Sequence, residues 1–340
     1  MNVTEIYREI AYIYSEGNAS RNGSLGELNA PSPLNHVINI LTIVTLSITM
    51  ISLGCTMEIS KIRAHLFQPK GVAIAMLAQY GIMPLTAFCL AKTLQMDSIK
   101  AATVLICGCC PGGSLSNIFS LAIDGDMNLS IVMTTCSSFA ALALMPLLLF
   151  IYCQGFTGLE KAVPYAGITM ALALTLVPCA IGIAINHYKP SYTPVVKKVG
   201  LSILTTSCII LSILSVIATK DVLWMALKPD IVGTAALMPL IGFMLGYGMS
   251  VLCRLNAQCS RTISMETGCQ NIQLCFAIIK VAFPIEVIGA MFLFPLIYMT
   301  FQCAEALFLV LCFRCYQRFK APAEAKHWNG DIKQEKLQQP

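Results

Sequence analysis

Apolar residues fall in long unbroken runs along this chain, not in alternation or in single helical stripes. The runs reach about 20 residues or more, the length a helix needs to cross about 30 Å of hydrocarbon. They are apolar on all faces, unlike the alternating segments of about ten residues of a transmembrane barrel. The pattern predicts an all-α membrane protein with nine spans: 34–57, 71–94, 101–123, 130–154, 165–186, 199–219, 231–253, 263–283 and 288–313. The connections are too short for a separate soluble domain, so function is expected within the membrane.

Composition agrees. Of 340 residues, 56% are hydrophobic and 11% charged, against about 25% charged in soluble domains. The first 33 residues are polar and carry three glycosylation acceptors, at Asn2, Asn18 and Asn22. They predict an extracellular glycosylated tail. Nine spans then leave Lys61, Arg63, Lys70, Lys189, Lys197, Lys198, Arg254, Arg261, Arg314, Arg318 and Lys320 inside, and only Lys100, Lys161, Lys220 and Lys228 in outer loops. The bias follows the positive-inside rule and places residues 320–340 in the cytoplasm. No basic patch and apolar core precede the first span, which is expected to direct its own insertion. Sixteen cysteines, densest at Cys107-Gly-Cys109-Cys110, lie mostly in apolar spans and read as small buryable side chains, with no histidine nearby for a zinc site. The net charge of +5 is spread over inner loops and tail, which gives no support for a nucleic-acid partner.

Prolines reveal a duplication. Met83-Pro84-Leu85 in the second span matches Met238-Pro239-Leu240 in the seventh, 155 residues on, and Met145-Pro146-Leu147 matches Phe294-Pro295-Leu296, 149 residues on. The two three-span units start five spans apart, an odd number, so they form an inverted-topology repeat of the kind found in secondary transporters. Adding 155 to Pro111, in Cys110-Pro-Gly-Gly113, lands on Glu266, in Glu266-Thr-Gly-Cys-Gln-Asn271. Both points are expected to unwind and free carbonyl groups at membrane depth, where irregular backbone is tolerated only against protein or a water-filled cavity.

Glu266 is an acid in an apolar span, costly without a partner. Around it the halves offer Ser116, Asn117, Ser130, Thr134, Gln270 and Asn271, an oxygen set suited to a hard cation. Ser130 and Thr134 are four apart and share a helix face. Glu305 in the ninth span and Lys280 near the end of the eighth stand outside this set.

Four stretches, Ser52 to Lys61, Ala78 to Pro84, Cys110 to Asn117 and Ser264 to Asn271, resemble the bile acid:sodium symporter family. The resemblance runs from the first span to Phe319. It implies sodium-coupled import of conjugated bile acids, with steroid sulfates or other organic anions as the alternative cargo. Two sodium ions are implied as co-transported partners. One would use Ser116, Asn117, Ser130, Thr134 and Glu266. The other would use Gln79 and Gln270 with backbone oxygens around Glu266, Thr267 and Cys269. Ser114 and Asn271 match positions near the substrate. Spans 2–4 and 7–9 would form a core that moves against a panel of spans 1, 5 and 6, with substrate in the crevice between them. The resemblance also implies a multi-pass protein of the plasma membrane, at the basolateral face of hepatocytes. Self-association is compatible with it.

Two other classes are weaker. A receptor or sensor would not need cation oxygens at two mirrored breaks. An intramembrane enzyme has no HExxH motif here, and Asp124 and Asp126 lie in an inner turn. The topology makes a prediction: glycan attaches at Asn2, Asn18 or Asn22 and not at the fourth acceptor, Asn128. A C-terminal epitope tag should stain permeabilised cells only, and staining of intact cells would overturn the nine-span arrangement.

Overall fold

The structure is a computed structural model that describes residues 33–56, 70–200, 228–283 and 285–337, with isolated positions between 202 and 210. The glycosylation acceptors Asn2, Asn18 and Asn22, and most of the sixth expected span, lie outside these residues. The described chain is helical. The helices are α1 (Pro33–Thr56), α2 (Lys70–Thr93), α3 (Ser98–Cys109), α4 (Ser114–Ala122), α5 (Met127–Cys153), α6 (Tyr165–Tyr188), α7 (Pro229–Leu252), α8 (Ala257–Gly268), α9 (Ile272–Ala282) and α10 (Ile285–Leu337). Among the described residues, five segments are long and apolar enough to cross a membrane: Lys70–Thr93, Met127–Cys153, Tyr165–Tyr188, Pro229–Leu252 and Leu293–Phe319.

The third and eighth expected spans are each broken in two. Helix α3 ends at Cys109 and α4 starts at Ser114; α8 ends at Gly268 and α9 starts at Ile272. The first break contains Pro111, which has no N–H to continue a helix. The second contains no proline. There Cys269 turns into extended backbone and Asn271 caps α9 by accepting from Leu274 N at 3.0 Å. Asp97, Asp126 and Asn256 cap α3, α5 and α8 in the same way. Short side-chain acceptors suit such ends because the first helical N–H groups have no intrahelical partner.

Helix α2 contains a turn that periodicity does not predict. Residues Ala78–Ile82 are π-helical and end two residues before Pro84. Proline cannot donate to the carbonyl four residues back, and a widened turn is one way to absorb the missing bond. The turn sets the direction of Gln79 and Tyr80, both buried, and Tyr80 Oη donates to Ser137 O at 2.5 Å. Pro239 sits inside the continuous α-helix α7, so the two proline motifs are locally different.

Helix α3 is buried on every face from Ala101 to Cys109 and occupies the centre of the main apolar cluster. At the end expected to lie inside, the turn at Asp124 is held from three directions. Arg261 donates to its carbonyl at 2.6 Å, Arg314 pairs with its carboxylate at 3.1 Å, and Gln317 donates to the other carboxylate oxygen at 2.8 Å. These bonds tie the α4–α5 turn to α8 and α10.

Helices α1 and α6 bring backbone against backbone at Gly54 and Gly182. A Cβ on Gly54 would lie 2.1 Å from Cys179 O, and one on Gly182 would lie 2.1 Å from Ile51 O. Small residues that let backbones touch are a standard means of packing helices in lipid. Helix α1 also packs on α9, where Met50 and Leu53 of α1, Cys179 of α6 and Ala277 of α9 share an apolar seam. We predict that Gly182→Ala costs more than the roughly 1–3 kcal/mol of ordinary overpacking, because the obstacle is backbone. Gly233→Ala, with nothing within 4 Å of the new Cβ, should be neutral or stabilising by about 1 kcal/mol. Thermal unfolding of the detergent-solubilised protein separates the two.

Candidate functional site

The two breaks lie against each other. Gly112 and Gln270 form an antiparallel bridge, in which Gly113 N donates to Cys269 O at 3.0 Å and Asn271 N donates to Pro111 O at 2.9 Å. There is no room for larger residues here. A Cβ on Gly112 would fall 2.3 Å from Glu266 Oε1, and one on Gly113 would fall 2.9 Å from Gln270 O.

This contact brings five predicted residues together. Ser116 Oγ lies 2.5 Å from Glu266 Oε2 and 2.6 Å from Gly113 O. Thr134 Oγ1 lies 2.6 Å from Glu266 Oε1, 3.0 Å from Ser130 O and 3.3 Å from Asn117 Oδ1. Ser130 Oγ donates to Asn117 Oδ1 at 2.7 Å. Ser116, Ser130 and Thr134 are fully buried and Glu266 is 1% exposed.

The cluster has more acceptors than protons. Three hydroxyls, each with a single hydrogen, face both Glu266 oxygens, Asn117 Oδ1, Gly113 O and Ser130 O. Each hydroxyl can instead rotate and present a lone pair. A cation among these atoms would therefore meet a carboxylate and several neutral oxygens, the ligand chemistry of a hard ion. It would also neutralise a carboxylate that burial otherwise makes costly.

A second group of polar atoms adjoins the first. Gln79 Nε2 donates to Cys110 O at 2.9 Å and to Gln270 Oε1 at 2.8 Å, while Gln270 Nε2 donates to Thr267 O at 2.9 Å. Gln79 Oε1 is buried with no hydrogen-bond partner, an unused acceptor on the same amide. The Thr267 hydroxyl turns back to Ile263 O at 2.8 Å, so its contribution is the carbonyl. Cys269 O is already engaged by Gly113 N.

Ser114 and Asn271 lie on the two strands of the bridge and line one small cavity of about 10 Å³, room for about one water molecule, together with Gln273, Met299 and Gln302. Glu305 Oε2 is buried without a partner, apart from the bonded groups above.

Sequence reasoning missed Gln302. It is fully buried on α10, accepts from Gln270 N at 3.1 Å and donates to Gln270 O at 3.5 Å. Tyr298, one turn away, donates to Gly268 O at 3.3 Å. The available signal was a lone amide in the apolar ninth span, three residues before Glu305.

Comparison with known proteins gives consistent results. The profile described as "Sodium Bile acid symporter family" matches residues 43–223. The chain is 53% identical over 294 residues to the hepatic sodium/bile acid cotransporter of Homo sapiens, covering 86% of this chain and 84% of that one. It is 42% identical to sodium/bile acid cotransporter 4 of Rattus norvegicus, covering 84% and 66% of the two chains. It is 35% identical to the sodium-dependent organic anion transporter of Homo sapiens, covering 84% and 75%.

Gln302→Leu should remove both contacts to residue 270 and strand a buried N–H and C=O, at about 1–3 kcal/mol for each group. The unfolding midpoint in detergent should fall by about 2–4 °C per kcal/mol. An unchanged midpoint would show that α10 does not hold the second break.

Proposed function

The chain belongs to the sodium bile acid symporter family, and from that premise we propose that it imports conjugated bile acids by coupling each anion to two sodium ions. The observation that carries the coupling is the surplus of oxygen acceptors around Glu266, fed by both breaks. In this reading the first ion takes Ser116, Asn117, Ser130, Thr134 and Glu266. The second takes Gln79 and Gln270, with Thr267 O and backbone around Glu266 and Cys269. The unpaired Gln79 Oε1 supports a ligand there.

Ion binding and the anion site are linked through the backbone. Gly113 and Gln270 belong to the bridge, and the same residues border the pocket lined by Ser114 and Asn271. An ion that orders the bridge therefore also orders the anion pocket, and its release loosens both. The helix starts at Ser114 and Ile272 present their positive dipole ends at this level. Such ends favour the acidic group of an amphipathic anion.

The nine-span topology and the inverted repeat are part of this proposal. Their support is the matching layout of the two halves: a capped half-helix, a break, a second half-helix and a proline-containing helix, at 98–153 and again at 257–313. The core would comprise α2–α5 and α7–α10, and the panel α1, α6 and the sixth span. A place in the basolateral plasma membrane fits this activity.

The energetics favour two ions. A tenfold sodium gradient supplies about 1.4 kcal/mol per ion, and one net inward charge gains roughly 1 kcal/mol at about half of 100 mV. Two ions with a monoanion support roughly a thousandfold accumulation, whereas one ion supports about tenfold because the charges cancel. The similarity to the sodium-dependent organic anion transporter of Homo sapiens supports another organic anion as the alternative cargo, and a steroid sulfate is the one we propose.

Uptake of labelled taurocholate against sodium concentration, with surface biotinylation as control, tests the mechanism. The unmodified protein should give a sigmoidal curve and carry inward current. Glu266→Gln should reduce uptake by more than tenfold, since it removes the charge that balances the ions. Gln270→Ala should weaken uptake and make the sodium curve less steep. A hyperbolic, electroneutral curve, or a Glu266→Gln protein that still concentrates substrate, rules out the two-ion mechanism. Uptake of a steroid sulfate but not taurocholate would change the cargo and leave the coupling intact.

A further inference from the structure

Gln273 faces two parts of the molecule. Its Oε1 accepts from Thr49 Oγ1 of α1 at 3.3 Å, a contact between residues 224 positions apart. Its Nε2 is buried and has no hydrogen-bond partner. The same side chain lines the pocket that holds Ser114 and Asn271.

A primary amide has an acceptor end and a donor end of nearly equal shape, so its neighbours decide which end points where. The Thr49 hydroxyl donates to the carbonyl end of Gln273 at 3.3 Å. The NH2 end is thereby turned away from α1. Buried donors normally have partners, and an unpaired N–H on a residue that lines this pocket can donate to one oxygen of a carboxylate or sulfonate. Hydrogen bonds to an ionised acceptor are roughly twice as strong as neutral ones. Such an amide discriminates an acid from an uncharged steroid of the same shape.

We propose that Gln273 is a specificity residue that donates to the acidic group of the substrate, and that Thr49 is its positioning residue. The inference rests on the carrier reading above. Thr49 lies beside the apolar seam of Met50, Leu53, Cys179 and Ala277, where α1 meets α9. The orientation of the amide therefore depends on the position of α1 and is set while that seam is closed. Anion recognition is in this way conditional on conformation, with no charged side chain needed in the pocket.

The experiment measures taurocholate KM in cells, with an uncharged bile alcohol of the same ring system as competitor and surface biotinylation as control. Thr49→Val keeps shape and removes the proton, so the KM should rise about three- to fivefold while inhibition by the bile alcohol is unchanged. Thr49→Ser should restore the original KM. Gln273→Glu keeps the acceptor for Thr49 but replaces the donors with negative charge, and should raise the KM by more than tenfold for the anion alone. Equal changes for anion and alcohol, failure of Thr49→Ser to rescue, or an unchanged KM in Gln273→Glu overturns the inference. If the unmodified protein shows no sodium-dependent taurocholate uptake, the carrier reading fails for this cargo and the inference fails with it. If uptake is present and the variants behave otherwise than expected, the inference fails alone.

Discussion

Breaking a helix at membrane depth releases N–H and C=O groups that hydrocarbon cannot pair. In this protein the two breaks pair each other, through Gly113 N to Cys269 O and Asn271 N to Pro111 O. Gln302 satisfies the remaining polar groups of residue 270. Because the pairing requires close approach, residues 112 and 113 must lack a Cβ, and that absence gives the Glu266 carboxylate its space. The breaks, the glycines and the buried acid are consequences of one arrangement.

The arrangement also explains why neutral side chains dominate the cluster. A hydroxyl can donate to the carboxylate when no cation is present and turn a lone pair toward one when it is. The buried acid is therefore never wholly without compensation. A second carboxylate in place of Asn117 or Thr134 would bind a cation more tightly but would leave two like charges buried whenever the ion departed. A carrier must release what it binds, and one charge among neutral oxygens suits that requirement.

Much of this was legible from residue order. Apolar run length located the five membrane-length helices among the described residues, and the two points singled out from the prolines, Pro111 and Glu266, lie at or next to the two helix breaks. The shared face of Ser130 and Thr134 followed from helical spacing, and both side chains reach Asn117 Oδ1. Other features were not legible because they arise from tertiary contact. The π-helical turn at Ala78–Ile82 depends on how α2 accommodates Pro84, and Pro239 shows that the same dipeptide can sit in an ordinary helix. Gln302 carried no motif, since its role is to pair with a backbone that only becomes unpaired once the second break forms. The Gln273–Thr49 contact joins residues 224 apart, which no local pattern encodes.

The glycine crossing of α1 and α6 has a mechanical meaning. Where backbone rests on backbone at Gly54 and Gly182, there is no rotamer to exchange and no side chain to slide past, so that crossing is stiffer than a contact between side chains. The seam against α9, built from Met50, Leu53, Cys179 and Ala277, is made of flexible and small side chains, and in the proposed movement of panel against core it would be the surface that slides.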